Sequence, residues 1–518
     1  MAHCSPFADT LVTDSCPEKE VIILGGGLAG LAAAVVLAEE NFQVTVVERR
    51  PFLGGRASSY PIPPSQQARI GAAPGNNNLE QDGMSTIDPT GPDAPNDRES
   101  YVDNCQHILL KCCTNLLDFY RRLGVGQWIT FFESFTFLDP EGKPAILKGS
   151  RWPAPFHLMP SFFSFHPLGW REKVWVAYAL WCMLRERRQL HTLDPMTMHD
   201  WLRSHRQSSR AIDAFWRPVL VSALNEEIER ASARYGIKVF LDGFLDHAQA
   251  FHMGVPRVPL SRLYTEPCLA YLQEKNCRVA MRHTVVGIDV EHSKVTGIRL
   301  SNGSRLEGDY YLSTVPPEVL VNLLPVSLTA KSEYFGLLRR FESSPITSIC
   351  LWFDRPITEL EHTAILGHEI QWLFRRKDLN REGTANHSEY VALVISASRN
   401  LLGLGPQDIV RRALDDLRIV LPASAQASLL HSVVLKEPFA TFSCKAGCDA
   451  YRLDQKSPLE NFFVAGDWTK TDWPPTMEGA VRSSYRSAEL ILEAEGISRK
   501  CLIPDLPANA ISRWFSGR

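Results

Sequence analysis

Three glycines and one acid, with the apolar runs around them, are where chemistry is most legible in this chain. Gly25-x-Gly27-x-x-Gly30 follows the run Val21-Ile22-Ile23-Leu24 and opens an alanine-rich helical pattern from Leu28 to about Glu39. A second apolar run, Val44 to Val47, ends in Glu48. Gly25 permits a tight turn, Gly27 lets main chain approach a pyrophosphate, and Gly30 lets the helix lie close on the strand. The free N–H groups at the helix start, around Leu28 and Ala29, and the partial positive charge there suit phosphate oxygens. Glu48 falls where a carboxylate accepts from a ribose 2′-OH and repels a 2′-phosphate. The order predicts a dinucleotide site.

The elements that must hold this site belong to a large globular chain. Its 518 residues allow two to four domains, and its apolar content of 45% against 22% charged residues is that of a packed protein. A net charge of −3 gives no long-range attraction to nucleic acid. The twelve cysteines show no zinc-ligand spacing and read as thiols in a reducing compartment. Residues 1–19 are polar and carry no secretory pattern. The longest apolar stretch, Val174 to Leu184, has 11 residues and is about 16 Å long as a helix, too short to span a bilayer. Its flanks, Arg171, Lys173, Arg185, Arg187 and Arg188, suit lipid headgroups if it lies on a membrane surface. A buried helix of a substrate domain fits the same pattern.

After Glu48 comes Pro51-Phe52-Leu53-Gly54-Gly55-Arg56, a loop that passes close under a cofactor if the first motif holds one. Residues 61–100 hold seven prolines, four glycines and no aromatic residue, a composition that predicts a disordered insertion. A helical pattern runs from Ile108 to Tyr120, with Gly124 as its stop. Between 125 and 244 lie seven of the twelve tryptophans, which form a helical core or line an apolar tunnel. Short β runs follow, among them Val285 to Val290, Val295 to Leu300 and Asp309 to Thr314; residues 345–353 and 389–396 read as strands of a second sheet, joined to a helix near 406–420. Near the C-terminus the run Asn461 to Ala465 ends in Gly466-Asp467, and Thr476-Met477-Glu478-Gly479-Ala480 opens a helix to about Glu495. The acid suits ribityl or phosphate-side hydroxyls, and the helix start suits negative charge on a reduced flavin.

Taken together these segments resemble the hydroxysqualene dehydroxylase family, also called squalene-associated FAD-dependent desaturase, within the phytoene desaturase and flavin amine oxidase superfamily. The resemblance rests on Gly54-Gly55-Arg56, Asp103-Asn104-Cys105-Gln106-His107, Arg151 to Pro155, Phe215 to Glu226, Ser344 to Ser348, Val394 to Ser398, Ala465 to Thr469 and Trp473 to Ser483. Cys105 departs from it, standing where relatives commonly carry glycine. The implied fold class is α/β: a discontinuous Rossmann-like FAD-binding domain (18–60, 101–124, 245–325 and 456–496) with an α+β substrate domain (125–244 and 326–455). Residues 1–17 and 497–518 are left as tails. The implied cofactor is FAD, held by Gly25, Gly27, Leu28, Ala29, Gly30, Glu48, Gly54, Gly55, Arg56, Val285, Gly466, Asp467, Met477, Glu478, Gly479 and Ala480.

The resemblance implies reductive removal of the hydroxyl of hydroxysqualene, with reduced FAD as hydride donor, in squalene and hopanoid biosynthesis. That reaction needs an acid for the leaving oxygen. The candidates are His107, Asp103 and Glu226; His107 also reads as a structural hydrogen-bonded histidine, and Glu226 as a partner of Arg217 or Arg230. Desaturation or amine oxidation would use the same fold. A lipid-escort protein of this architecture is the non-enzyme alternative, disfavoured by the intact flavin end at Gly466-Asp467 and Glu478-Gly479. No second strand–G-x-G-x-x-G–helix unit is present, since Gly403-Leu404-Gly405 runs into Pro406. An external electron donor is therefore expected. A long apolar substrate points to a cytoplasmic location with peripheral attachment to the membrane.

Overall fold

The computed structural model describes residues 19–61, 84–85, 101–376 and 389–515. The insertion expected at 61–100 lies outside the described residues, apart from Pro61 and the pair Met84–Ser85. The tail expected at 1–17 lies outside them as well.

The apolar run Glu20–Leu24 is the central strand of a five-stranded parallel sheet, in the order Arg278–Ala280, Gln43–Val47, Glu20–Leu24, Tyr310–Ser313 and Phe462–Val464. Its neighbours come from stretches hundreds of residues apart: Ile23 pairs with Val46 on one side and with Leu312 on the other. Helix Leu28–Glu39 is apolar on every face and buried along nearly its whole length, because sheet and helices enclose it. Helix Met477–Ala494 packs along it, and Ser484 Oγ donates to Ala29 O. Val285–Glu291 and Lys294–Leu300 pair antiparallel around His292 and Ser293, both at positive φ, as a two-residue hairpin turn requires.

The second layer is a mixed sheet with eight strands among the described residues. Its order is Met84–Ser85, Leu429–Phe442, Ser343–Phe353, Glu389–Ser396, Trp372–Arg375, His362–Ile365, Ser134–Leu138 and Pro144–Lys148. Side chains alternate across it. Leu373, Leu393 and Ile395 pack with the amphipathic helix Pro406–Val420, whereas Trp372, Phe374 and Val394 face the interior of the protein. Burial on both faces is why these strands read as unbroken apolar runs. Opposite this inner face stand helices Trp170–Glu186, Arg217–Leu224 and Ala233–Phe240, the last continuing into a π-helical turn at Leu241–Leu245.

Two sequence expectations change here. The helix expected from Ile108 begins at Thr114, because Leu109–Leu110 pairs as a short strand with Met253 and Gly254. Residues 497–515, read as part of a tail, instead fold back on the protein. Ile503 N donates to Asn115 Oδ1, Asn509 N donates to Asp246 O, and Ser512 Oγ of helix Ala510–Phe515 donates to Leu245 O.

Candidate active site

The glycine turn is built by close approach. Gly25 sits at φ +107, where an L side chain is strained, and its N–H donates to Val47 O at 2.9 Å. A Cβ on Gly30 would drive into the Gly25 carbonyl oxygen, so this glycine packs helix on strand and does not reach the cavity wall. Gly27 differs. The nearest protein atom to a Cβ there is Gly55 Cα at 3.7 Å, and Gly27 with Leu28 and Ala29 lines a cavity. The second glycine loop lies alongside: Gly54 N donates to Gly26 O at 2.9 Å, and Gly54, Gly55 and Arg56 line the same cavity. The first hydrogen bond inside helix Leu28–Glu39 is Leu31 N to Gly27 O, which leaves the N–H groups before it for an anion.

Glu48 is buried at the end of its strand. Its Oε2 accepts from Gly26 N and its Oε1 from Arg50 N, each at 2.8 Å. These contacts fix the carboxylate and leave each oxygen a free lone pair, as a ribose-binding acid needs. Val285 lies on the cavity wall near it, beside His283 and Thr284.

At the other end of the cradle Asp467 accepts from Arg56 at 2.5 Å, so the second glycine loop is tied to the C-terminal strand. Burial lowers the pKa of the Arg56 guanidinium, but Asp467 outweighs this and holds it above its ordinary value. Met477 and Ala480 line the cavity; Gly479 does not, because it packs on Pro474 O and donates to the capping Thr476 Oγ1. Glu478 lines the cavity as well. Its carboxylate turns away to the start of helix Thr114–Arg122, accepting from Asn115 N, Asn115 Nδ2 and Leu116 N, and it pairs with Arg482. The carboxylate thereby caps that helix.

Sequence reasoning missed Arg452, which is fully buried and binds the carbonyls of Asp467, Thr469 and Trp473. One guanidinium thus shapes the loop from Asp467 to Trp473. A lone Arg-Leu pair in the sequence carries no signal of it.

Of the three acid candidates only His107 lines the cavity. Its Nε2 lies 3.0 Å from Asn104 Oδ1, and Asn104 Nδ2 donates to Arg56 O at 2.5 Å. Nε2 is therefore the donor and Nδ1 carries no proton. Burial pushes the imidazole down to about 4, so it is neutral at physiological pH and is no proton reservoir for a leaving group. Asp103 is not on the wall: it accepts from Ser59 Oγ at 2.7 Å and from Leu260 N at 3.0 Å. Glu226 is not on the wall either. It is fully buried and held bidentate by Arg399 at 2.7 Å, a partner expected to be Arg217 or Arg230. Arg217 instead binds Glu227 and Glu229, whereas Arg230 makes the expected ion pair with Glu226 at 3.6 Å.

The cavity encloses about 1170 Å³ and runs from the glycine loops into an apolar chamber lined by residues such as Phe135, Phe215, Phe240, Phe244, Trp372 and Val394. It opens where wall residues are also exposed: Trp170 (72%), Phe163 (63%), Val174 (56%) and Phe439 (55%). Of the tryptophans between 125 and 244, Trp201 and Trp216 are core, and Trp170 stands at this opening. One more pair on the wall was not foreseen: Lys238 and Asp242, 2.6 Å apart.

Comparison with known proteins agrees with this geometry. Residues 28–492 match the family described as "Flavin containing amine oxidoreductase". The chain is 26% identical to a probable zeta-carotene desaturase of Synechococcus elongatus, over 92% of this chain and 99% of that protein. It is 24% identical to a 15-cis-phytoene desaturase of the same organism, over 91% and 95%. Among solved structures, wild-type putrescine oxidase bound to putrescine superposes with a TM-score of 0.65 at 14% identity, covering 92% of this chain and 99% of that one. Cyclohexylamine oxidase from Brevibacterium oxydans gives 0.61 at 17% identity, covering 93% and 100%. The cofactor is FAD, and the cradle fits it: Gly27 leaves room where a pyrophosphate would lie, Glu48 has lone pairs free for a ribose, and Asp467, tied to Arg56, is the acid that would hold the flavin end.

Proposed function

We propose a function from the premise that this chain belongs to the flavin-containing amine oxidoreductase family: it moves a hydride between FAD and an allylic carbon of a long linear isoprenoid. The observation that carries this reading is one continuous cavity, which joins the FAD cradle to an apolar chamber open at an exposed apolar rim. FAD, when bound, supplies the two-electron centre. The chain's own residues do the rest. Glu48 and the two glycine loops fix the cofactor's adenosine and pyrophosphate, and the Arg56–Asp467 pair stands at its flavin end. The aromatic walls align a hydrocarbon chain and exclude water from the reacting carbon.

Desaturation is the direction supported by the relatives, whose names are those of carotene and phytoene desaturases. Reductive removal of a hydroxyl is the second direction. It is favoured by the segments Phe215–Glu226 and Trp473–Ser483, and by an ion pair in a chamber that a pure hydrocarbon would leave without a partner. Either direction calls for an external electron carrier to reset the flavin. Among the described residues no helix is long and apolar enough to cross a membrane. The apolar rim with its basic neighbours is proposed to rest on a lipid surface, from which a water-insoluble substrate enters.

Two anaerobic incubations of the FAD-loaded protein in lipid vesicles test this, one with phytoene or zeta-carotene and a quinone acceptor, the other with hydroxysqualene after photoreduction. An added conjugated double bond in the first, or squalene in the second, assigns the direction. Unchanged substrate in both contradicts the isoprenoid reading.

A further inference from the structure

Among the described residues three cysteines reach the cavity wall, Cys105, Cys112 and Cys113, and the last two are consecutive. The other described cysteines are buried off this wall. Cys105 is buried too; its thiol donates to Gln106 O at 3.7 Å, and burial pushes its pKa up to about 12. It therefore carries little reactive thiolate.

Cys112 and Cys113 form a graded pair of free thiols. Cys112 is 6% exposed and packs with Ala250 and Trp473, whereas Cys113 is half-buried. The two thiols hydrogen-bond each other, and that bond, followed by burial, holds Cys112 well above its ordinary pKa. Main chain fixes them in a turn. Cys112 N donates to Ala250 O at 3.3 Å, Cys113 N to Leu110 O at 2.9 Å, and Thr114 N to Cys112 O at 2.9 Å. With φ −77 and ψ 67, Cys113 makes an inverse γ-turn and is the N-cap of helix Thr114–Arg122. Glu478 holds that helix start, and Met477, its neighbour in sequence, lines the cavity.

A reachable thiol beside a shielded one is the arrangement in which the first attacks an oxidant and the second resolves the product. The cavity itself supplies an oxidant, because dioxygen that takes two electrons from reduced FAD leaves as hydrogen peroxide. We propose that Cys112 and Cys113 are a reversible peroxide-modification site of this cavity, Cys113 attacking and Cys112 resolving. The Cys113 thiolate attacks one peroxide oxygen and the O–O bond breaks. Cys113 becomes a sulfenic acid, and the second oxygen leaves with the thiol's proton as water. Cys112 sulfur then attacks the sulfenic sulfur, the S–S bond forms, and the hydroxyl leaves with the Cys112 proton as a second water. The two sulfurs together lose two electrons, which the peroxide gains. The product is readily reversed: consecutive Cα atoms stand about 3.8 Å apart, closer than the roughly 4.4–6.8 Å of a relaxed disulfide, and a strained disulfide is easily reduced. Closing the ring also pulls Cys113 out of its γ-turn, so the helix start moves against Glu478 and the segment carrying Met477. The site requires FAD but not the isoprenoid reading.

Tryptic cleavage after Lys111 and Arg121 releases both thiols in one peptide, residues 112–121, with no other cysteine. FAD-loaded protein is treated with hydrogen peroxide, its remaining thiols are alkylated, and this peptide is weighed. The wild-type peptide is expected to be two hydrogens lighter and unalkylated, and to take two alkyl groups when dithiothreitol precedes alkylation. Cys113→Ser is expected to leave Cys112 reduced under the same treatment. Cys112→Ser, lacking a resolving thiol, is expected to carry Cys113 on to sulfinic acid; if that variant fails to fold, Cys113→Ser carries the test. FAD is expected to leave the oxidised protein severalfold faster than the reduced one, read from the fluorescence of released flavin. A wild-type peptide that keeps both thiols, or gains oxygen that dithiothreitol does not remove, overturns the site. Oxidation of Cys112 in Cys113→Ser at the wild-type rate overturns the assignment of roles. Equal FAD release from both forms overturns the link to the cofactor.

Discussion

At the scale of single residues, Gly27 and Gly30 do different work, and substitution separates them. Gly27 faces the cavity with Gly55 Cα as its nearest neighbour, so Gly27→Val fills the space of the pyrophosphate without disturbing protein contacts. That variant is expected to purify folded, with unchanged circular dichroism and little or no FAD. Gly30→Ala meets the Gly25 carbonyl inside the helix–strand contact, and should lower the apoprotein's melting temperature as well. Stoichiometric FAD in Gly27→Val would contradict the placement of the cofactor. His157 offers a second test. It is fully buried against Phe251, neither ring nitrogen has a hydrogen-bond partner, and burial lowers its pKa to about 4. Its folded pKa lies below the unfolded value of about 6.5, so the unfolded chain takes up a proton that the folded chain refuses, and stability falls as pH drops through that window. His157→Phe removes this penalty. Urea melts should show the variant gaining about 2 kcal/mol more over wild type near pH 5 than near pH 7.5. A gain independent of pH would mean that His157 is not titrating in this way.

At the scale of elements, helix Trp170–Glu186 decides between a core helix and a surface one. Val176, Ala179 and Met183 are buried, while Trp170, Val174, Tyr178 and Trp181 share an exposed face, so the helix is core on one side and apolar to solvent on the other. Trp175 sits beneath Arg206 and is the poorer probe. Trp170→Glu with Trp181→Glu should reduce cosedimentation with anionic liposomes severalfold and leave FAD content unchanged; undiminished cosedimentation would remove the lipid-facing role. Elements were legible in the sequence where the signal is local. The strand, glycine turn, helix and acid from Val21 to Glu48 follow from spacing alone. The start of helix Thr114–Arg122 did not, because pairing of Leu109–Leu110 with Met253–Gly254 overrides the helical spacing from a distance of more than a hundred residues. Likewise Lys238 and Asp242, at i and i+4, look like any solvent-facing pair until the π turn places them in a chamber.

At the scale of the whole molecule, a five-stranded parallel sheet carries the glycine turn at one end of the cavity, and an eight-stranded sheet with facing helices encloses the apolar chamber at the other among the described residues. The long-range pairs hold the two ends of one site together: Arg56 to Asp467, Glu478 to Asn115, and Arg452 to the loop ahead of Met477. Sequence spacing marks each end of these pairs as a loop or helix start, but not which end it meets, since partners 15 to more than 400 residues apart leave no periodic trace. That is why the glycine loops on the cavity wall were legible as turns while Asp103 and Glu226 were misplaced: each is a buried acid in a family-like segment, and only the fold shows that its oxygens are already bound. The central claim is that this cavity exchanges a hydride between FAD and a linear isoprenoid, and not an amine. The most direct measurement is an anaerobic single-turnover experiment following flavin absorbance, with oxidised protein mixed with zeta-carotene or putrescine, and photoreduced protein mixed with hydroxysqualene. The account predicts bleaching by the carotene or reoxidation by the alcohol, one flavin per substrate molecule, and no response to putrescine. A flavin that responds only to the amine would contradict it.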